Sequence, residues 1–370
     1  MNIKTDRQKN NLLIKSYYDN DIDKFRELIK DGADINCLDN DGYSLIALVV
    51  SGQSRIENDE FFNILIENYV NIKPIKNAPL LLHLAILVKK RYYFDKLMEL
   101  GINVNYINYS YDNNSNTHII FDAITDGEYY HINTILNKGI DINIRSKIDE
   151  PILNHYIRHC EFKLTEKEQI DIFKKFIDLG ADINDRGFKG MQAIHCATFY
   201  KKNKLLKILI KNKNIQLDSR DRYGNTSLYY AVKSNNIDNV KTLIKNGART
   251  HLYNSQNDCA LFYSMEHHYK EIFDILIDNN AAALSVDDRG CNILHEMIDY
   301  EWYGEMSFEK YYKKIIDKHP ELLFQKNNDG KTPLDYLDKE NKNHCRKNFL
   351  NKIANNIEDI EKKKKHEISL

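Results

Sequence analysis

GNTSLYYAVKSNNIDNVKTLIKNGA, residues Gly224 to Ala248, decides the fold. Leu228, Ala231 and Val232 form one apolar face, and Ile237, Val240, Leu243 and Ile244 form the next. Spacings of three, four and seven residues are those of an amphipathic helix. Thr226 suits an N-cap, its hydroxyl accepting from a free helix amide. Gly247 suits the position just past a helix, where φ turns positive at no steric cost to glycine. The stretch predicts two short helices in succession. Helices this short are not stable alone, so each must bury its stripe on its neighbours.

The same pattern recurs along the chain. One landmark is Gly32-Ala33-Asp34-Ile35-Asn36, matched by Gly101-Ile102-Asn103-Val104-Asn105, Gly139-Ile140-Asp141-Ile142-Asn143 and Gly180-Ala181-Asp182-Ile183-Asn184. Weaker copies are Gly247-Ala248, Asn280-Ala281 and Val70-Asn71-Ile72. The second landmark is a turn glycine: Gly42, Gly190, Gly224, Gly290 and Gly330. Ten of the 14 glycines fall on these two landmarks, whereas chance would scatter them. Gly190 to Gly224 is 34 residues, Gly224 to Asn257 is 33 and Asn257 to Gly290 is 33. Gly290 to Gly330 is 40, so that unit carries an insertion. Helical stripes fall between the landmarks throughout: Phe25, Leu28 and Ile29; Phe62, Leu65 and Ile66; Phe94, Leu97 and Met98; Ile132, Ile135 and Leu136; Phe173, Phe176 and Ile177; Leu205, Ile208 and Leu209; Ile272, Ile275 and Leu276.

On these residues the chain resembles the ankyrin repeat family, whose units open G-x-T-P-L-H-x-A, close G-A-D-x-N and have a period of about 33 residues. The best openings are Gly330-Lys331-Thr332-Pro333-Leu334, Gly224 to Ala231, and Gly190-Met191-Gln192-Ala193-Ile194-His195-Cys196-Ala197; Leu82-His83-Leu84-Ala85 and Ile293-Leu294-His295 are partial copies. Thr332, like Thr226, suits an N-cap, and Pro333 suits the first helical position. The resemblance implies an all-α ankyrin solenoid of about ten helix–turn–helix units with short β-hairpin-like turns. The units start near Asn10, Gly42, Ala78, Thr117, Asp149, Gly190, Gly224, Asn257, Gly290 and Gly330. Residues 1–337 form the array and residues 338–370 a polar C-terminal cap and tail. Segments 51–59, 108–116 and 300–307 are expected as loop insertions. Heavy use of Asn, Ile, Lys and Tyr follows AT-rich codons, a bias common in some large DNA viruses and intracellular parasites, and the repeats resemble ankyrin repeat proteins of large DNA viruses.

Across 370 residues, 53 basic side chains balance 54 acidic ones, a formal net charge of −1. Such balance exerts no long-range pull on nucleic acid or an anionic membrane. The longest apolar stretch, Ala78 to Val88, is far short of the roughly 20 residues that cross a bilayer. The six cysteines, 37, 160, 196, 259, 291 and 345, form no CxxC pair and read as reduced, mostly buried thiols. A monomeric, cytoplasmic protein is expected, in the host cytoplasm if the source is viral. Lys362 to Lys365 followed by His366 reads as a solvated terminus, with a nuclear-import signal as the sharper alternative.

Chemistry is sparse. The resemblance gives His83, His195 and His295 a structural role, hydrogen-bonding between neighbouring loops. His267 and His268 are adjacent, and His155 and His159 have the i, i+4 spacing that suits a metal, but no carboxylate completes a signature such as H-E-x-x-H. His155 falls on the unit's small-residue position and reads as a partly buried misfit. No phosphate loop, nucleophile elbow or dinucleotide fingerprint occurs. No enzyme, cofactor or metal site is expected.

The resemblance places partner contacts on the concave side, at the turn tips and the exposed ends of first helices. The tips are Asn40, Asp41 and Tyr43; Phe188, Lys189 and Met191; Arg222, Tyr223 and Asn225; Asp288, Arg289 and Cys291. First-helix positions include Phe199, Tyr200, Lys233, Glu266, His267 and Tyr300, and Trp302 sits in the ninth unit's insertion. The expected partner-binding set is Phe188, Lys189, Tyr200, Arg222, Tyr223, His267, Arg289, Tyr300 and Trp302, since aromatic and arginine side chains dominate interface hot spots. The expected function is a scaffold binding a protein partner. The alternative is the substrate-recognition adaptor of a ubiquitin ligase, although the tail lacks the proline-led apolar helices such an adaptor needs.

Overall fold

The computed structural model describes residues 6–52, 59–68, 78–105, 107–108, 117–160, 163–281, 285–299 and 305–336. The chain divides into two compact units, Met1–Asp182 and Ile183–Leu370. In the first, short helices follow one another in pairs: Asp6–Tyr18 and Ile22–Lys30, Leu45–Ser51 and Asp59–Glu67, Ala78–Leu87 and Arg91–Glu99, Ile119–Asp126 and Tyr129–Leu136, Ile152–His159 and Glu166–Asp178. In the second, the pairs are Ala193–Phe199 and Asn203–Lys211, Ser227–Lys233 and Ile237–Lys245, Ala260–Glu266 and Lys270–Asp278, Ile293–Asp299 and Glu305–Lys318. A 3-10 turn, Pro333–Tyr336, opens the last expected unit, and the tail from residue 337 lies outside the described residues. The all-α repeat architecture is therefore present in both units.

The stripes face inward as their spacing requires. Phe25, Phe62, Phe94, Ile132, Phe173, Leu205, Val240 and Ile272 are buried, as are Leu28, Leu65, Leu97, Ile135, Phe176, Leu243 and Leu276 three or four residues on. Ile29, Ile66, Ile177, Ile208, Ile244 and Ile275 are only half-buried, so the stripe is narrower than expected on that side. Leu206 and Phe273, outside the expected stripes, are fully buried in compensation.

The turns have a common chemistry. The side chain of Asp221 accepts from the amides of Tyr223 and Asn225, and Asp39, Asn254, Asp287 and Asn327 do the same in their own loops. A side-chain oxygen thus satisfies two amides that a short turn would leave open. Single bridges close several of these turns as rudimentary hairpins: Leu38 with Ser44, Arg145 with Pro151, Tyr253 with Cys259 and Val286 with Asn292. At the turn-glycine position of two units, Asp149 (φ 58°) and Asn257 (φ 58°) take the left-handed conformation instead, the residue types that tolerate it best after glycine. Thr226 caps its helix by accepting from the Tyr229 amide, as expected. Thr332 differs, because its hydroxyl donates to the Asp335 carboxylate at 2.8 Å.

The asparagines that end three of the G-x-D-x-N-like runs, Asn105, Asn143 and Asn184, join one repeat to the next. Asn105 donates to the Gly139 carbonyl and accepts from the Asp141 amide, and Asn143 does the same with Gly180 and Asp182. In the second unit Asn184 bonds Asn214 and Gln216 in the same way. One two-residue ladder was not expected: Ile107–Asn108 pairs antiparallel with Thr117–His118, so that Asn108, the first residue of the segment read as an insertion, lies in a strand.

Candidate protein-interaction surface

In the second unit the loop tips are tied in sequence. The Arg222 amide donates to the Lys189 carbonyl at 2.9 Å, the Ser255 amide to the Tyr223 carbonyl at 2.9 Å, and the Asn328 amide to the Arg289 carbonyl at 3.0 Å. These bonds fix the spacing of the side chains the tips carry.

Phe188 is 55% exposed and Tyr223 45% exposed. The Lys189 ammonium lies 5.3 Å from the centre of the Phe188 ring and 5.8 Å from that of Tyr223, within the range of a cation–π attraction. Lys189 itself sits in the left-handed region at φ 59°, inside the 3-10 turn Phe188–Gly190. Arg222 is exposed on the adjoining tip. Four of the expected residues, Phe188, Lys189, Arg222 and Tyr223, are therefore one physical group.

The others stand apart from it. Tyr200 is half-buried at the end of the helix Ala193–Phe199, its ring 5.0 Å from that of Phe199. His267 is exposed and stacked on Tyr263 at 4.0 Å. The Arg289 guanidinium is held by Asp287 at 2.8 Å, which raises its pKa further. Tyr300 and Trp302 lie outside the described residues.

A second aromatic cluster packs along the first helices, with Tyr229 and Tyr230 buried at 6% and 8% exposure. The ring of Phe199, 46% exposed, meets Tyr230 edge-on at 5.7 Å; Tyr229, beside Tyr230, meets Tyr263 at 5.5 Å, and the Lys233 ammonium lies 5.8 Å from the Tyr263 ring. Tyr229, Tyr230 and Tyr263 were not among the expected contact residues. Their signal was available in the opening of each unit, where the family's histidine position and its neighbour hold Tyr229 and Tyr230.

Two tip assignments are corrected. Asn225 and Cys291 were expected to face solvent but are buried at 9% and 1% exposure. The following loop explains both, because Asn254 donates its side-chain amide to Asn225 and Asn327 points its own at the Cys291 sulfur.

The structural histidines behave as expected at two of three positions. The Gln192 amide donates to His195 Nδ1 at 3.1 Å, leaving the ring proton on Nε2, 2.9 Å from the Ser219 carbonyl of the next loop. His295 repeats this with the Asn292 amide and the Lys331 carbonyl. Burial pushes both imidazoles below their ordinary pKa, which favours the neutral form these bonds need. His83 differs: its Nδ1 faces the Asp122 carboxylate, and its Nε2 finds no partner among the described residues.

The rings of His155 and His159 lie 4.4 Å apart, tilted by 33°, while His155 also faces Thr125, Glu150 and Phe121. Among the described residues no group of three or more His, Cys, Asp or Glu side chains is placed to hold a metal ion. Five cysteines, 37, 160, 196, 259 and 291, are buried free thiols. An open depression of about 540 Å³ beside the helix Glu166–Asp178 is lined by Tyr129, Thr165, Glu168, Asp171 and Lys174. Four of its polar groups are engaged with one another, Tyr129 with Asp171 and Thr165 with Glu168. Among the described residues no helix is long and apolar enough to cross a membrane.

Comparison with known proteins agrees with this architecture. Residues 163–254 match the family described as ankyrin repeats, three copies. An ankyrin repeat protein of Acanthamoeba polyphaga mimivirus is 26% identical over 233 residues, covering 62% of this chain and 29% of that protein. An ankyrin repeat protein of fowlpox virus is 25% identical over 145 residues, 39% of this chain and 30% of the relative. The human transient receptor potential cation channel subfamily A member 1 is 32% identical over 91 residues, 25% of this chain and 8% of the channel. The chain spans less than a third of the length of each of these relatives.

Proposed function

This chain carries ankyrin repeats, which are protein-interaction modules, and from that premise we propose that it is a non-catalytic scaffold whose partner seats on the tips and first helices of repeats in the second unit. The observation that carries the reading is the group formed by Phe188, Lys189, Arg222 and Tyr223. It presents two half-exposed rings and two cations on adjacent tips whose backbones are bonded together. Rigid tips lower the ordering cost that binding would otherwise carry. Phe199, 46% exposed, and the half-buried Tyr263 extend the apolar part of the surface onto the first helices, with Tyr200 and His267 beside them.

Contacts through Arg289 are expected to be weaker, since its guanidinium already has Asp287. Any role of Tyr300 or Trp302 concerns residues outside those described. The same holds for a ubiquitin-ligase adaptor function or a nuclear-import signal, both of which would reside in residues 338–370. A cytoplasmic location, in the host if the source is viral, accords with this reading.

The test is capture of partners by the full chain and by a variant with Phe188, Tyr200, Arg222 and Tyr223 changed to alanine. The variant is expected to keep its melting temperature and to lose specific partners. An unchanged set of partners would overturn the assignment of this surface.

A further inference from the structure

The charge around the Phe188 and Tyr223 tips is far from the neutrality of the whole chain. Between Asp185 and Tyr223 the sequence holds ten basic residues, of which Arg186, Lys189, Arg220 and Arg222 lie in the two tip loops, and three acidic ones, Asp185, Asp218 and Asp221. Asp185 is half-buried and accepts from the Arg186 amide, and the other two are occupied as well. Asp221 is buried at 6% exposure and occupied by the amides of Tyr223 and Asn225 and the hydroxyl of Tyr230. Asp218 accepts from the Arg249 amide and faces its guanidinium. Lys189, Arg220 and Arg222 are exposed and make no ion pair among the described residues. Exposed like charges brought together without counter-charges repel one another, and an acidic ligand relieves that repulsion.

We infer that this tip surface takes an acidic polypeptide segment, with carboxylates set against Lys189, Arg220 and Arg222 and an apolar side chain laid on the Phe188 and Tyr223 rings. The inference rests on the binding reading above and names the chemistry of its partner. A guanidinium offers a carboxylate two parallel donors, and an ammonium offers a point charge. The repeats of residues 163–254, a protein-interaction module, favour a peptide over single-stranded nucleic acid. The Lys189 ammonium stands near both ring centres, where a carboxylate beside the apolar side chain would meet it.

The experiment pans the immobilised full chain against a display library of short random peptides, at low and at high salt. The best recovered peptide is then titrated against three forms of the protein: wild type, Lys189→Glu/Arg222→Glu and Phe188→Ala/Tyr223→Ala. The expected pool is rich in Asp and Glu with an apolar residue among them, and its recovery falls as salt rises. Charge reversal should weaken the selected peptide by about tenfold or more, and alanine at the rings should weaken it as well. A pool without acidic bias that still depends on Phe188 and Tyr223 overturns the acidic inference and leaves the binding surface standing. A pool indifferent to both double variants overturns the surface itself. Tighter binding of a short thymidine strand than of the selected peptide overturns the inference in favour of nucleic acid.

Discussion

The amide of Arg222 donates to the carbonyl of Lys189 across 2.9 Å, so each of these tips is braced by its neighbour. The next tip repeats the bond from Ser255 to Tyr223. Backbones that approach this closely leave no space for a side chain between them. Gly224 stands at that approach with φ +77°, where an added Cβ would fall 2.7 Å from the Ser255 amide nitrogen. Gly330 has a similar φ of +75° but no heavy atom within 4 Å of the same point.

Gly224→Ala is therefore expected to cost more than Gly330→Ala. Both carry the backbone strain of a left-handed alanine, about 1–2 kcal/mol, but only Gly224→Ala must also push two loops apart. Urea titration of the two variants checks this. Equal midpoints would show that the inter-tip bond contributes nothing to stability.

His195 is fully buried and spans two loops, so replacing it leaves the Gln192 amide and the Ser219 carbonyl without partners. His195→Phe should cost about 1–3 kcal/mol. The imidazole is held below its ordinary 6.5 by burial, so below that pH the unfolded chain binds the proton more readily than the folded one. Stability supplied by the neutral ring is thus present above pH 6.5 and lost as the pH falls toward the depressed folded value. The variant should show a flatter loss of stability on acidification than the wild type.

The first unit contains a buried ion pair of a different kind. Glu150, 1% exposed, meets Arg158 at 2.6 Å and His155 Nδ1 at 3.4 Å. Removing only the guanidinium strands a carboxylate in the interior. Arg158→Met is expected to cost about 3–5 kcal/mol. Adding Glu150→Gln should return most of that loss, because no charge then remains to be solvated. A double variant as unstable as the single one would mean that packing, not charge, accounts for the effect.

What the sequence disclosed follows from where the information sits. Turn glycines, helix stripes and the G-x-D-x-N runs are local, and each corresponds to a left-handed residue, a buried face or an asparagine bond to the next loop. The Ile107–His118 ladder was hidden because the residues between its strands depart from the repeat. At the surface, exposed Phe188 and Tyr223 were readable from their place beside the turn glycine. The burial of Asn225 and Cys291 was not, since their partners Asn254 and Asn327 lie a whole repeat away. Tyr263 was missed for a related reason: its ring partners Tyr229, met edge-on, and His267, stacked, come from the preceding repeat and from the end of its own helix.

Glu296 was legible only as a charge on the short helix Ile293–Asp299, and the structure gives it a consequence. It is buried, and its Oε2 has no hydrogen-bond partner among the described residues. Burial first, then the negative charges of Asp287 and Asp258, push its carboxyl up to about 8, with Arg289 opposing them. Tyr253 and Cys259, both buried close by, supply no positive charge. The folded chain therefore holds a proton that the unfolded chain releases near pH 4.5. Between about 4.5 and about 8 the folded state binds more protons, so stability falls as pH rises across that window and levels off above it. Glu296→Gln keeps the shape and discards the titration. At pH values above 8 the variant should be the more stable protein, by an amount on the order of a few kcal/mol. Near pH 4 the two should unfold at similar urea concentrations. Parallel stability curves for the two proteins from pH 4 to pH 9 would mean that Glu296 ionises freely in the folded state, and that its carboxylate reaches water.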